Sequence, residues 1–151
     1  MKEYLKEYLI TLRIERNLSP KTCDAYRRDL TDYLRFIKAE NITNITQMDI
    51  RNYIRELNNR GLAPSSISRR FSSIRSYHKF LSAEKLMNDN PTLILTGPKS
   101  PKKLPSVLSE NEISSIINCI EEASQFGKRD KAIIEMLYSC GLRVSELCDL
   151  D

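Results

Sequence analysis

Apolar residues return every three or four positions along almost all of this chain, and that period restricts it to amphipathic helices. Leu5, Tyr8, Leu9 and Leu12 mark the apolar face of a first helix. A second has a legible start: Ser19 can cap it, and Pro20 suits the first helical position, where a missing N–H costs nothing. Its inward residues are Cys23, Tyr26, Leu30, Leu34 and Ile37. Thr46 opens a third helix, with Asp49 placed to answer the first-turn N–H groups and Ile50, Tyr53, Ile54 and Leu57 as its stripe. Gly61 ends it. The fourth begins near Pro64 or Ser65 and buries Ile67, Phe71, Ile74, His78 and Leu81. Four short-looped amphipathic helices predict a compact helical domain over residues 1–87.

The period then fails. Between Asn88 and Pro105, the residues Pro91, Gly97, Pro98, Pro101 and Pro105 break any helix, and Lys99, Lys102 and Lys103 add charge without acids. Residues 88–105 therefore read as an extended, basic linker between domains. Helical spacing resumes at Ser109, which forms a capping box with Glu112 ahead of Ile113, Ile116, Ile117 and Ile120. A further helix is predicted from about Lys128 to Cys140, with Ile133, Met136 and Leu137 inward and Gly141 as its stop. Another starts near Val144. Residues 106–151 are fewer than the roughly 50 of a small domain, and their apolar faces have little to cover them. The expectation is that part of this second fold is missing.

Charge is distributed unevenly. Residues 1–90 carry 17 Lys and Arg against 11 Asp and Glu, residues 91–105 carry 3 against none, and residues 106–151 carry 4 against 9. A basic first half and basic linker favour a polyanionic partner. No apolar run reaches the ~18 residues of a membrane span, and charges interrupt the N-terminal apolar residues where a signal peptide needs continuity. A cytoplasmic protein with no membrane partner is expected. The four cysteines, Cys23, Cys119, Cys140 and Cys148, form no C-x-x-C pair, and the single histidine, His78, has no partner at ligand spacing, so no metal or other cofactor is expected. Cys23, Cys119 and Cys140 lie near apolar helical positions and read as small core residues.

Two surfaces carry candidate chemistry. On the fourth helix Arg69, Ser72, Ser73, Ser76 and Lys79 fall away from the apolar stripe, flanked by Arg70 and Arg75, and Arg27, Arg28 and Arg35 give the second helix a similar face. Small hydroxyl residues let a helix approach a duplex while the cations reach phosphates; an ordinary solvated face has the same spacing. The second feature is Gly141-Leu142-Arg143-Val144-Ser145-Glu146-Leu147. It joins a glycine stop, an arginine and a helix start, where backbone N–H groups and a guanidinium can hold one phosphate. Arg143 paired with Glu146 or Asp149 fits the same residues.

Four segments, in order along the chain, resemble the tyrosine-recombinase (phage-integrase) family. NLSPKTCDAYRRDL (17–30) and SSISRRFSSIRSYHKFL (65–81) are similar to its helical core-binding domain, and NPTLILTGPKSPKKLPSVLSENEI (90–113) to its linker and first catalytic-domain helix. KRDKAIIEMLYSCGLRVSELCDLD (128–151) resembles the family's first conserved box, whose G-L-R-x-S-E-L arginine is catalytic and maps to Arg143. The pattern is most similar to the Xer-type bacterial recombinases. The resemblance implies an all-α chain: a four-helix, SAM-like core-binding domain, then the first helices of a truncated catalytic domain at 106–151. It implies double-stranded DNA as partner and, in a full-length protein, other recombinase protomers in a synaptic complex. A tyrosine would attack a phosphodiester without metal, with Arg143 stabilising the transition state and Arg27, Arg28, Arg69, Arg70, Ser72, Ser73, Arg75, Ser76, Lys79, Lys99, Lys102 and Lys103 holding DNA. The family's lysine, His-x-x-Arg box, further His or Trp and nucleophilic tyrosine fall after box one, and no residue here matches them. Tyr138 matches a structural tyrosine. The expectation is a fragment inactive on its own, with a truncated, inactive DNA-binding module as the alternative.

Overall fold

The computed structural model describes residues 2–38, 41–97 and 106–150, and every regular element among them is helical. The chain divides into two compact units, Met1–Lys102 and Lys103–Asp151. The first unit contains α1 (Lys2–Ile14), α2 (Pro20–Ile37), a 3-10 turn (Ile42–Asn44), α3 (Gln47–Asn59) and α4 (Pro64–Ala83). The starts follow the predicted chemistry: Ser19 Oγ accepts the Thr22 N–H, Thr46 Oγ1 accepts the Asp49 N–H, and the Asp49 carboxylate accepts the Thr46 N–H in return. α3 ends in a paired turn, with Leu62 N–H on Leu57 O and Gly61 N–H on Asn58 O. Gly61 takes φ 75° there, a left-handed conformation that a Cβ penalises.

α4, like α2, packs against the three other helices of the unit. It buries more than its predicted stripe: Ser73, Tyr77 and Phe80 join Ile67, Phe71, Ile74, His78 and Leu81. α2 presents Asp29, Leu30 and Tyr33 to the interior, while Cys23, Tyr26, Leu34 and Ile37, expected inside, lie half-buried around its rim. Aromatic rings pair within the core. Tyr8 meets Tyr77 edge-on at 5.3 Å, and Tyr33 meets Tyr53 at 5.3 Å and His78 at 5.8 Å. Such pairs add about 0.5–1.5 kcal/mol each beyond the apolar area they bury. His78 is a packing residue, fully buried, with Nε2 2.8 Å from the Tyr33 hydroxyl and Nδ1 without a partner.

The start of the predicted extended linker does not run free. Met87, Pro91, Thr92 and Leu95 are buried in the first unit, and Asn90 Oδ1 accepts both the N–H and the hydroxyl of Thr92. Gly97 passes so close to Phe71 that a Cβ would sit 2.9 Å from the ring. Within residues 88–97, Thr92 and Leu95 dock the chain on the first unit beside Phe71 and Arg75 of α4, while Leu93 and Ile94 between them stay exposed.

The second unit holds α5 (Glu110–Asn118), α6 (Gly127–Cys140) and α7 (Val144–Cys148). The Ser109–Glu112 capping box forms, and Gly141 closes α6 with φ 62°. No side chain among its described residues is buried. Cys119 and Cys140, expected in a core, are exposed, as are Ile116 and Met136. Three short helices enclose too little volume to cover faces of this width. Amide exchange should therefore be fast in α5–α7 and slower by on the order of a hundredfold or more in α2–α4, because short uncovered helices open readily. Hydrogen-exchange mass spectrometry checks this, and equal protection in both units would contradict it.

Candidate nucleic-acid interface

The polar side of the first unit is organised by two acids of α2. Asp29 is buried at the seam with α4, its side chain 4% exposed. Its carboxylate accepts from Arg69 Nη1 at 2.5 Å and Nη2 at 3.0 Å, and from Ser73 Oγ at 3.0 Å. Asp32, one turn on, accepts from Arg70 Nη1 at 2.6 Å and the Tyr53 hydroxyl at 2.9 Å, with Arg60 Nη1 at 3.5 Å. Burial works to raise the Asp32 carboxyl, but the hydrogen bonds from Tyr53 and Arg70 and the charges of Arg70 and Arg60 outweigh it and leave it below its ordinary value. Asp29 alone among these groups is buried, while Arg69 is about half exposed and Asp32 and Arg70 about a quarter, so solvent weakens the pairs, yet together they tie α2, α3 and α4 to one another.

The predicted cations thus divide. Arg70 is largely committed to Asp32 and Tyr53. Arg69 is held by Asp29 yet stays 54% exposed. Arg27 pairs with Asp24 on its own helix at 2.8 Å. Arg75 lies 4.8 Å over the Phe71 ring and donates to the Leu95 carbonyl, so it fastens residues 91–97 to α4. Arg28, Arg35 and Lys79 are exposed, with no acid partner among the described residues. Ser72 is exposed and donates to the Ser68 carbonyl, and Ser76, half-buried, accepts from Arg16. Ser73 does not lie on the solvent face that its spacing predicts: it is 3% exposed and bonded to Asp29, so it cannot meet a macromolecule. Lys99, Lys102 and Lys103 lie outside the described residues.

Arg143 in the second unit stands at the start of α7 and is 82% exposed. Glu146 accepts its backbone N–H at 2.8 Å and its Nη1 at 2.8 Å, so the intrahelical pair is the arrangement seen. The Arg143 backbone and side-chain hydrogen bonds hold the Glu146 carboxyl below its usual range. Tyr138 lies on α6, 51% exposed. Among the described residues no group of three His, Cys, Asp or Glu side chains could hold a metal, and no helix is long and apolar enough to cross a membrane.

Residues 5–85 match the phage integrase N-terminal SAM-like domain, and residues 106–151 match the phage integrase family. The chain belongs to the phage integrase family. Its relatives in that family include tyrosine recombinase XerD of Oceanobacillus iheyensis, 40% identical over all of this chain and 52% of the relative. Tyrosine recombinase XerC of Bacillus licheniformis is 35% identical over 99% of this chain and 50% of its own length. The chain therefore spans about half the length of the curated recombinases it matches. Among solved structures, XerA recombinase is 27% identical with a TM-score of 0.52, covering 99% of this chain and 50% of that one. The Tn1549 transposon integrase, solved in complex with circular intermediate DNA, has a TM-score of 0.72 over 97% of this chain and 48% of its own, and at 18% identity it shows a shared fold.

Sequence reasoning missed the two acids that organise this integrase-family surface. One signal was present: Asp29 and Asp32 alternate with core positions Leu30 and Tyr33, which sets a carboxylate into the seam of a helix pair opposite the Arg69–Arg70 dipeptide.

Proposed function

We propose that this chain holds duplex DNA through α2 and α4 of its first unit, mainly by phosphate contacts, and that it serves a tyrosine recombinase that breaks and rejoins DNA at specific sites. The observation that carries the reading is the division of cations just described. Asp29 and Asp32 satisfy the arginines that join the helices, and Arg28, Arg35 and Lys79 remain exposed on α2 and α4 with no acid partner among the described residues, beside the half-exposed Arg69. Lys99, Lys102 and Lys103 would extend this contact along the backbone, and other recombinase protomers would share the DNA in a synaptic complex. The complexes of the Tn1549 integrase with DNA support the same partner by shared fold.

In strand exchange a tyrosine oxygen attacks a phosphodiester, forming a 3′-phosphotyrosyl bond as the bond to the 5′-oxygen breaks and leaves as a 5′-hydroxyl; the 5′-hydroxyl of a second strand then attacks the same phosphorus and releases the tyrosine. Arg143 is the residue here that would act on that phosphate, by swinging from Glu146 to the charge that develops in the transition state. A second reading, a DNA-binding module without catalysis, is favoured by the Arg143–Glu146 pair, which occupies the guanidinium. Under either reading, binding is electrostatic. With four to six phosphates contacted, the log–log salt dependence of the binding constant should have a slope of roughly −4 to −5. Fluorescence anisotropy of a labelled duplex across a salt series tests this; a flat response, or no binding at low salt, sinks it.

A further inference from the structure

We propose that Asp29 is a positioning residue for DNA binding, fixing the Arg69 guanidinium in one orientation from which it meets a phosphate. The proposal rests on the DNA-binding reading above. A carboxylate buried at the α2–α4 seam is a costly way to join two helices, since apolar residues of the same volume serve as well or better. What it adds is geometry. Both Asp29 oxygens face Arg69, one on each terminal nitrogen, and Ser73 Oγ holds the same carboxylate from α4. Asp29 is 4% exposed and cannot reach solvent, whereas Arg69 is 54% exposed and can. A guanidinium carries five N–H groups, and the two-pronged bond to Asp29 uses two of them, leaving three for an outer anion. The rotamer freedom of the arginine is then lost in the free protein instead of at the moment of binding. Ser72, on the same helix and exposed, offers a small side chain where a phosphate backbone must come close.

Removing a negative charge from a DNA-binding surface ordinarily tightens binding. Asp29→Asn should instead weaken it, on the order of fivefold at about 0.1 M salt, because the orientation of Arg69 is lost. Arg69→Gln should weaken binding to a similar degree and reduce the salt slope by roughly 0.9, one phosphate's share. The double variant should be no weaker than Arg69→Gln alone, since the two act as one unit. The measurement is anisotropy of a labelled duplex with the 151-residue chain over a salt series, with each variant's thermal midpoint recorded. Unchanged or tighter binding by Asp29→Asn overturns the proposal, as does full additivity. If Asp29→Asn does not fold, Arg69→Lys decides: it keeps the charge but lacks the fork, so a several-fold loss supports the positioning role and wild-type affinity overturns it. Absence of salt-dependent binding by the unaltered chain overturns the DNA reading itself, an outcome distinct from either.

Discussion

Lowering the pH from 7 to 4 should remove about 3 kcal/mol from the stability of the first unit through one side chain, His78. Burial depresses its pKa from 6.5 to about 4, because no charged or water-exposed group offsets the loss of solvation around the imidazole. The folded state therefore refuses a proton that the unfolded chain accepts below pH 6.5. Stability is nearly complete above that value, declines as the pH falls from 6.5 towards 4, and levels off below 4 as the folded state becomes protonated too. Tyr33, the hydrogen-bond partner, does not titrate in this window, since burial raises its hydroxyl well above the ordinary value. Asp32, held below its usual value, gives up its contribution only at lower pH still. Urea unfolding at pH 7, 5.5 and 4 provides the test. Tyrosine emission is a suitable probe, because the chain has no tryptophan and six of its 7 tyrosines, Tyr4, Tyr8, Tyr26, Tyr33, Tyr53 and Tyr77, lie in the first unit. His78→Leu should lower stability at pH 7 and flatten the pH dependence between 6.5 and 4. A wild-type chain with no pH dependence there, or a variant that keeps it, would show that His78 is protonated freely.

A larger effect is expected at Arg143, and it separates catalysis from binding. In a family member carrying the lysine, the His-x-x-Arg box and the nucleophilic tyrosine, replacing the arginine aligned with Arg143 by alanine should lower recombination by about 10²–10³-fold or more, with little change in DNA affinity. A preorganised cation contributes chiefly where charge develops, in the transition state, and much less to the bound ground state. Lysine should rescue poorly because it lacks the two-pronged fork. In the 151-residue chain the same Arg143→Ala change should leave DNA binding almost unaltered, since the proposed contacts belong to the first unit. A nicked suicide substrate that traps phosphotyrosyl-DNA reads both arms. Covalent adduct from the 151-residue chain alone would contradict the motif assignment. Wild-type cleavage by the alanine variant of the longer enzyme would take Arg143 out of the mechanism.

Much of the fold could be read from local chemistry. Ser19-Pro20, Thr46 with Asp49, Gly61, Ser109 with Glu112 and Gly141 each specify a helix end by hydrogen bonds made within a few residues, and each appears where the sequence places it. What escaped was tertiary. The burial of Ser73, Tyr77 and Phe80 depends on the helices packed against α4, which spacing along α4 cannot reveal. The placement of the candidate cations was legible only in part. Spacing put Arg69, Arg70 and Arg75 on a polar face, yet acids 40 residues away at Asp29 and nearly as far at Asp32 decide which guanidinium is committed and which is available. The same limit applies to Cys119 and Cys140: their apolar neighbours predicted burial, but burial needs a covering surface.

The central claim is that DNA lies against the exposed faces of α2 and α4, and chemical-shift mapping tests it most directly. Titrating a short duplex into the isotope-labelled 151-residue chain at low salt should shift resonances around Arg28, Arg35, Arg69, Ser72 and Lys79. The shifts should fade together as salt is raised, because the contacts are to phosphates. Ser73 and the core around Tyr33 should move little. Shifts confined to residues 106–150, or scattered evenly over the first unit, would contradict the account.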